Sequence, residues 1–185
     1  VVTLHGQLPL EEQSAALLRC SSDHDGTVIL ASSIAESSVT IDSVRLVIDS
    51  GRSRQLRFDP NTGMEGLETV PSSLASADQR RGRAGRQAPG RCIRLWSPAE
   101  QQRRPLFSPP ELLLADPKPV VMELAQWGSG LCEELPWLDP PPKAAIDEAQ
   151  RELASLGLLT TDGRLTSIGK QLNGLGVHPR LGLLM

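Results

Sequence analysis

The sequence predicts an α/β fold built on a parallel sheet and followed by a mostly helical winged-helix module. Three observations support this prediction. Short apolar runs alternate with a helix near the start of the chain, as in parallel sheets. A stretch rich in turn residues then separates two alternating segments, which predicts a β-hairpin. Near the other end, helices flank a short turn signal, which is the pattern of a winged helix.

Residues 1–104 are predicted to form the sheet lobe. Val1–Leu4 predicts a strand, and Leu10–Arg19 predicts a helix because acidic residues lie near its start and an arginine ends it. Thr27–Ala31 and Val44–Ile48 consist mainly of apolar residues, which is typical of strands that are buried on both faces. This order of elements favours a parallel sheet.

The second half of the lobe carries a different pattern. Residues 52–70 alternate around the turn-forming run Asp59–Gly63, which predicts a β-hairpin protruding from the sheet. Serines then precede a predicted helix over Leu74–Arg83. A further strand is predicted at Gly90–Trp96. The lobe therefore ends on a strand that directly follows an arginine-rich helix.

Prolines mark a predicted linker at residues 105–119. Beyond it, residues 120–166 are predicted to form the winged-helix domain, with its second helix over Lys143–Leu156. The dipeptide Asp162-Gly163 predicts a two-residue hairpin for the wing. Residues 167–185 restart a helix and are predicted to begin a third domain.

The charge of the chain is concentrated in its middle. The net charge is −3, yet the stretch from Arg45 to Arg104 holds 12 arginines against 6 acidic residues. This distribution favours one localised anion site over a polybasic coat. Aromatic residues make up only 3% and there is no tyrosine, which argues against a surface that stacks nucleic-acid bases.

The three cysteines and three histidines are scattered and show no metal-binding spacing, so no metal site is predicted. Unpaired cysteines are typical of a reducing compartment, and we expect a cytoplasmic protein. No run of roughly 18 apolar residues predicts a membrane span.

The segment Gln79–Arg86 holds four arginines and a glutamine within eight residues. Arg83 and Arg86 lie three positions apart, on the same side of a helical turn, and Gln79 lies one turn before Arg83. This spacing could bring two guanidiniums and an amide to one polyphosphate. The pattern alone is equally consistent with a generic basic surface.

Three stretches in order resemble motifs of one family, the DEAH-box helicases of superfamily two. Gln79–Arg86 resembles its motif VI, QRxGRxGR, and Ala31–Asp42 resembles its motif V. Leu4–Gln13 resembles the stretch that follows its motif IV. Two later segments, Pro110–Leu113 and Leu124–Gly128, are similar to the bacterial HrpB-type branch. Because the motifs are several and ordered, the resemblance is far more specific than one motif alone.

The resemblance implies a C-terminal RecA-like lobe, a winged helix and the start of a helical ratchet domain. It implies that ATP with Mg²⁺ binds between this lobe and the protein's own N-terminal RecA-like lobe. Gln79 would position the attacking water, and Arg83 and Arg86 would be arginine fingers on the phosphates. Asp42 would lie near the nucleotide, although an acid at such a position is also a common helix or turn cap.

The resemblance also implies single-stranded RNA as the partner, with DNA as the alternative, and no membrane. Ser32, Ser33 and Thr40 would contact RNA or couple it to the nucleotide, and Ser32-Ser33 departs from the usual Thr-Asn of motif V. Arg52 and Arg54 on the hairpin are predicted to bind RNA. They are alternatively the charges that protect an exposed edge strand.

The sequence contains no GxxxxGK[ST] phosphate loop and no Asp-Glu-Ala-His run. The phosphate cradle and metal ligands are therefore expected upstream in a longer protein, and the chain by itself is expected to be inactive. The alternative function is a non-enzymatic, arginine-rich adaptor that binds nucleic acid or protein.

Overall fold

The computed structural model describes residues 1–22, 26–37, 41, 44–128 and 135–184. These residues form two compact units. The first unit contains Val1–Gln55 and Glu68–Ser108, and the second contains Leu56–Leu67 and Pro109–Met185. The four-part division into lobe, linker, winged helix and ratchet start, with boundaries near residues 104, 119 and 166, stays a prediction.

The elements follow one another in a mixed α/β order. The strands are β1 (Val2–Leu4), β2 (Ile29–Ala31), β3 (Leu46–Asp49), β4 (Arg52–Asp59), β5 (Met64–Pro71) and β6 (Arg91–Arg94). The helices are α1 (Leu10–Ser22), α2 (Ile34–Ser37), α3 (Leu74–Ala84), α4 (Pro98–Arg103), α5 (Pro117–Trp127), α6 (Lys143–Ser155), α7 (Ser167–Gly174) and α8 (Pro179–Gly182). A 3₁₀ turn at Glu111–Leu113 precedes α5.

Parallel strand pairs form the sheet portion of the first unit, as the sequence predicts. Strand β1 pairs with β2, and β3 pairs with β6 from Leu46 opposite Arg91 to Asp49 opposite Arg94. Helix α3 lies between β3 and β6 along the chain and packs on both strands. This crossover through a helix is the connection that parallel strands require.

The prediction that these strands are buried on both faces is wrong for the described structure. Leu30 and Ile48 are each 60% exposed. In β3 the burial alternates, since Val47 is half-buried and Asp49 is buried while Ile48 faces outward. Successive side chains of a strand point to opposite faces, so the alternation shows that helix α3 covers only one face of this pair. Apolar composition alone does not reveal which face is covered.

The predicted β-hairpin is present as β4 and β5. Its turn closes with a bond from the Gly63 amide to the Asp59 carbonyl (2.8 Å), and the Asp59 carboxylate accepts from the Asn61 amide at 3.0 Å. The outer half of the hairpin belongs to the second unit, where the Phe58 amide donates to the Leu114 carbonyl at 2.7 Å. The sequence did not predict this attachment.

The proline-rich stretch is more ordered than a linker. Helix α4 begins with a capping box in which the Ser97 hydroxyl accepts from the Glu100 amide and the Glu100 carboxylate accepts from the Ser97 amide. The carbonyl of Pro105 then accepts from the Leu74 amide at the start of α3 (2.9 Å). Helix α5 starts at Pro117, three residues before the predicted boundary, because the Asp116 side chain caps it.

The second unit has its own apolar core. Helices α5, α6 and α7 pack together around it. The buried core residues are Val121, Met122, Leu124, Ile146, Ala149, Leu153, Leu158, Leu159, Leu165 and Leu172. Their spacing on α5 and α6 follows the three-to-four residue repeat of an amphipathic helix, which is why the sequence predicts these two helices.

The wing of this unit differs in detail from the prediction. Leu159 pairs with Leu165 in an antiparallel bridge, and the Thr160 amide donates to the Arg164 carbonyl (2.8 Å). Three residues therefore lie in the loop, not two. Gly163 has a φ of +78° and its amide donates to the Thr160 carbonyl, which is the geometry of a turn followed by a left-handed glycine.

A cluster of charged side chains lies among the buried residues of the second unit. Asp116 and Lys118 are only 3% and 2% exposed, and Lys118 Nζ lies 3.2 Å from Asp116 Oδ1 and 3.1 Å from a carboxylate oxygen of Glu152. His178 Nε2 lies 2.8 Å from Asp116 Oδ2. His178 also caps α8, since its side chain accepts from the Arg180 amide.

The carboxylates of this cluster are held in their ionised form. Burial works against ionisation of Asp116, yet the Lys118 amide, His178 and the Lys118 ammonium together lower the pKa of Asp116 below its ordinary value. Burial likewise opposes ionisation of Glu152, and bonds from Lys118 and Arg180 lower the pKa of Glu152. Hydrogen bonds, together with the nearby cations, therefore outweigh desolvation at both carboxylates.

Candidate functional site

Helix α3 carries the arginine-rich motif and is fixed at its start. The Ser73 side chain accepts from the Ser76 amide at 3.2 Å, so it caps the first turn. Small residues fill the side that packs on the strands, and Ala77 and Ala84 are buried. The arginines lie in the second half of the helix. The sequence predicts the bounds of this helix to within one residue.

Arg80 bonds to four different residues of the first unit. Its Nε lies 3.0 Å from a Glu36 carboxylate oxygen, and its Nη1 lies 3.0 Å from Asp49 Oδ1. It also donates to the Arg52 carbonyl at 3.1 Å and to the Ser53 hydroxyl at 2.9 Å. A guanidinium has five N–H donors in a rigid fork, which suits it to join these four acceptors on α2, β3 and β4.

Asp49 is the buried anchor of this network. It is 3% exposed, and its Oδ1 also accepts from the Gly51 amide at 2.8 Å, which shapes the turn between β3 and β4. Its other oxygen, Oδ2, is buried and makes no hydrogen bond within the part of the chain that the structure describes. The charge of Asp49 is therefore balanced chiefly through Arg80.

The turn after β3 is also supported by a stacked arginine. The Arg104 guanidinium lies 4.0 Å from the centre of the Trp96 ring and donates to the carbonyls of Gly51 and Ser72. Gly51 has a φ of +69°, and a Cβ there would lie 2.4 Å from Arg104 Nη2. Only glycine fits this turn without strain.

Glu36 joins the motif V segment to the motif VI helix. Its carboxylate accepts from the Ser76 hydroxyl at 2.6 Å and from Arg80. Its backbone carbonyl accepts from Arg83 Nε at 2.9 Å and from Arg83 Nη2. Two residues of the motif, Arg80 and Arg83, thus contact the same residue of the neighbouring segment.

The predicted nucleotide residues lie in the second half of α3 and just beyond its end, so Arg86 does not share a helical turn with Arg83, because the helix ends at Ala84. Gln79 and Arg83 are one turn apart on the helix, and Arg86 follows two residues after the helix ends. Gln79 and Arg86 are exposed, while Arg83 is half-buried against Glu36. Asp42, predicted to lie near the nucleotide, falls outside the described residues.

The predicted RNA-binding serines lie at the start of α2 and are exposed. The Ser32 amide donates to the Leu4 carbonyl at 3.0 Å, which ties this turn to the end of β1. The carbonyls of Ser32 and Ser33 accept from the amides of Ala35 (3.2 Å) and Glu36 (2.9 Å). Thr40 falls outside the described residues.

The predicted RNA-binding arginines of the hairpin lie near its base. Arg52 and Arg54 are both exposed and are two residues apart on β4, so they share one face of the strand. The carbonyl of Arg52 accepts from Arg80, which connects this strand to α3. Both arginines belong to the first unit.

Sequence reasoning assigned no role to Glu36 or Asp49, the two acidic residues that Arg80 bridges in this site. An acid inside a motif is the signal that could have singled out Glu36, but no local pattern tells which arginine it pairs with. Those pairings join positions 31 to 44 residues apart, so only the fold defines them.

The described structure contains no metal-binding cluster, since no group of three or more His, Cys, Asp or Glu side chains in it could hold an ion. None of its helices is both long and apolar enough to cross a membrane. What the first unit does offer is an exposed, arginine-rich helix end beside the α2 segment. Guanidiniums at such a place suit the binding of phosphate oxygens.

Comparisons with known proteins agree with this arrangement. Residues 1–88 match the helicase conserved C-terminal domain. Over 98% of its length the chain is 40% identical to the ATP-dependent RNA helicase HrpB of Escherichia coli, of which it covers 22%. It is 33% identical over its whole length to the pre-mRNA-splicing factor ATP-dependent RNA helicase prp22 of Schizosaccharomyces pombe, of which it covers 16%.

Solved structures give the same result. A crystal structure of the E. coli DEAH/RHA helicase HrpB superposes with a TM-score of 0.87 at 40% identity, covering 98% of this chain and 23% of that one. The chain thus spans about a fifth of the length of these relatives. The RecA-like fold predicted for its first part is confirmed. The chain therefore carries the helicase conserved C-terminal domain in residues 1–88, and over nearly its whole length it is similar to DEAH-box helicases such as HrpB.

Proposed function

We propose that this chain works as part of an ATP-dependent RNA helicase, in which it supplies one side of an ATP site and part of an RNA path. The observation that carries the proposal is the end of helix α3. Gln79 and Arg83 lie one turn apart on this helix, Arg86 lies just beyond its end, and Arg83 is bonded to the carbonyl of Glu36. The relatives named as ATP-dependent RNA helicases match the chain over nearly its whole length.

The proposed nucleotide chemistry belongs to three side chains. Arg83 and Arg86 would bind the phosphate oxygens and stabilise the negative charge that develops as the terminal phosphoryl group is transferred. Gln79 would orient the attacking water with its amide. Asp42 would contribute near the nucleotide. Bound ATP supplies the phosphoryl group and the free energy of its hydrolysis.

The proposed cofactor is ATP with Mg²⁺. The arginine side chains described here suit the phosphates, but they cannot bind a cation. Carboxylate ligands for Mg²⁺ would therefore come from the protein's own N-terminal RecA-like lobe, which we propose as the intramolecular partner of this chain. A protein of this kind would work in the cytoplasm.

The proposed RNA contacts are to the backbone. Ser32, Ser33 and Thr40 offer hydroxyl groups, and Arg52 and Arg54 offer charge, so all five suit phosphate or 2′-hydroxyl groups better than base edges. Binding of single-stranded RNA should therefore be sensitive to salt and weakly dependent on sequence. Single-stranded DNA is the comparison ligand that tests the role of the 2′-hydroxyl.

The test is ATP hydrolysis by the full-length protein that contains this chain, measured with and without single-stranded RNA. Arg83→Ala or Arg86→Ala should reduce kcat by about 10³- to 10⁵-fold, because a guanidinium that stabilises the transferring phosphoryl group is lost. RNA binding, measured by fluorescence anisotropy, should stay within about twofold of the original, because neither residue is assigned to the RNA.

Arg81→Ala is the matched control, since Arg81 lies on the same helix but is 60% exposed and pairs with Asp78. Its kcat should stay near that of the unaltered protein. If Arg83→Ala and Arg86→Ala both hydrolyse ATP at the normal rate, the assignment of Arg83 and Arg86 as phosphate-binding arginines is wrong. A full-length protein without ATP hydrolysis would overturn the proposed function and favour a non-enzymatic adaptor.

A further inference from the structure

Glu36 contacts helix α3 in two independent ways. Its carboxylate is bonded to the Ser76 hydroxyl at 2.6 Å and to Arg80 Nε at 3.0 Å. Its backbone carbonyl accepts from both Nε and Nη2 of Arg83. The side chain and the main chain of one residue thus bind successive turns of the motif VI helix.

The carbonyl of Glu36 sets the orientation of the Arg83 guanidinium. Two N–H donors on one acceptor fix the direction of the planar group, where a single bond would leave it free to rotate. The position of that acceptor depends on α2, a helix of only four residues. So short a helix is not stable by itself and must be held by contacts from outside.

The Glu36 side chain provides such a contact. Its partner Arg80 is also bonded to Asp49, which is buried in β3. The side chains of Arg80 and Glu36 are only 16% and 18% exposed, so water screens their pairing weakly. The carboxylate therefore fastens α2 to a rigid part of the first unit.

The other end of α2 carries the serines proposed to bind RNA. The Ser33 carbonyl accepts from the Glu36 amide at 2.9 Å, so these two residues lie one turn apart on one continuous hydrogen-bonded segment. A displacement of this turn would move the carbonyl that holds Arg83. The same short helix is thus in contact with both proposed ligand-binding regions.

We propose that Glu36 is a positioning residue that holds Arg83 in its catalytic orientation and links it to the RNA-contacting turn at Ser32 and Ser33. The inference rests on the proposed function for the role of Arg83. Glu36 itself touches neither nucleotide nor RNA in this proposal. It acts by keeping α2 docked on α3, so that its main-chain carbonyl orients the guanidinium.

The first test compares Glu36→Ala with Glu36→Gln in the full-length protein. Loss of the carboxylate should lower the RNA-stimulated kcat by about 10²-fold, because a shift of about 1 Å in a catalytic group has an effect of this size. The glutamine oxygen can still accept from Ser76 and Arg80, so Glu36→Gln should lose only about tenfold. The Kd for a nonhydrolysable ATP analogue and the Tm should both change little.

Asp78→Asn is the matched control. Asp78 lies on the same helix and its carboxylate binds Arg94 at 2.6 Å and Arg81 at 3.4 Å, so this variant removes a carboxylate partner of two arginines without touching Arg80 or Arg83. Its kcat should stay within about twofold of the original, as expected for a largely exposed pair.

The decisive measurement combines Glu36→Ala with Arg83→Ala under single-turnover conditions with radiolabelled ATP. If Glu36 acts through Arg83, the double variant is no slower than Arg83→Ala alone, because the group to be oriented is already absent. If the rate losses of the two single variants multiply in the double variant, Glu36 has a structural role separate from Arg83 and the inference is overturned. The inference would also be overturned if Glu36→Ala lowered both Tm and kcat and Glu36→Gln restored neither.

These outcomes separate the inference from the function on which it rests. If the unaltered protein hydrolyses ATP and Arg83→Ala is inactive, but Glu36→Ala is normal, only the positioning role of Glu36 fails. If the unaltered protein does not hydrolyse ATP, the proposed function fails first. A third readout, the ratio of RNA-stimulated to basal rates, should fall in Glu36→Ala, and an unchanged ratio would remove the link to Ser32 and Ser33.

Discussion

At the scale of single residues, the motif VI arginines have different tasks despite their identical chemistry. Arg80 is bound by two carboxylates, one of them buried, whereas Arg81 is 60% exposed. Arg83 is oriented by a main-chain carbonyl. Position relative to Glu36 and Asp49, and not residue type, decides which arginine stabilises the unit and which is presented to a ligand.

This division predicts unequal losses of stability. Arg80→Ala should lower the free energy of unfolding of the first unit by about 3 kcal/mol, because it leaves Asp49 buried without its cation. Arg81→Ala should cost about 0.5 kcal/mol or less, since its partner Asp78 is half exposed. Urea denaturation followed by Trp96 fluorescence, with the tryptophans of the second unit replaced, measures both. Equal midpoints for the two variants would contradict the role assigned to Arg80.

At the scale of elements, helix α3 combines two demands in one short sequence. Its first half uses small residues so that Ala77 can pack closely on the strands, and its second half presents charge. The turn after β3 is also tight, because a Cβ on Gly51 would lie 2.4 Å from Arg104 Nη2 and 2.5 Å from a ring carbon of Trp96. A glycine inside the helix and a glycine in this turn should therefore respond in opposite ways to replacement by alanine.

Two glycine-to-alanine changes should act in opposite directions. Gly82 lies inside α3, and a Cβ there meets nothing within 4 Å, so Gly82→Ala should stabilise the unit by about 0.5–1 kcal/mol. Gly51→Ala should destabilise it by about 2 kcal/mol or more, because its φ of +69° is strained for alanine and the Cβ would contact Arg104. Thermal unfolding of the two variants side by side provides the comparison, and shifts of the same sign would contradict it.

At the scale of the whole molecule, the chain consists of two units with separate cores and separate buried charges. In the second unit, cations hold the pKa values of Asp116 and Glu152 below their ordinary values of 3.8 and 4.5. A carboxyl group with a lowered folded pKa stabilises the fold above its unfolded pKa. This contribution is lost as the pH falls through the folded pKa.

The second unit should therefore lose stability in acid, starting as the pH falls below about 4.5, the ordinary value for glutamate. Asp116→Asn should be less stable than the original at pH 7 by about 3 kcal/mol, because buried Lys118 loses its buried carboxylate partner and keeps only the more exposed Glu152. Its stability should then decline less between pH 7 and pH 3. Urea midpoints across this range, followed by the fluorescence of Trp127 and Trp137, measure both effects.

Asp147→Asn is the control for this prediction, because Asp147 is an exposed residue of α6 in the same unit. Its acid denaturation should match that of the original. If Asp116→Asn keeps the full pH dependence, the acid sensitivity of this unit has another source and the cluster around Asp116 does not explain it.

The sequence by itself determined the α/β class, the hairpin, helix α3 and the family, because each depends on local signals. Turn residues, capping serines and the apolar repeat act over a few positions, so they can be recognised from the sequence without knowledge of the fold. The order of three motifs likewise needs no coordinates. The same reasoning placed Gln79 one turn before Arg83 on this helix, and the structure has both residues within α3.

Only the tertiary structure decided which side chains meet over long separations. Glu36 and Arg80 are 44 residues apart, and Asp116 and His178 are 62 apart, yet each pair is within hydrogen-bonding distance. It also decided that α3 covers one face of β3 and that the outer half of the hairpin belongs to the second unit. These features follow from how elements pack, and packing depends on shape and burial that no single segment encodes.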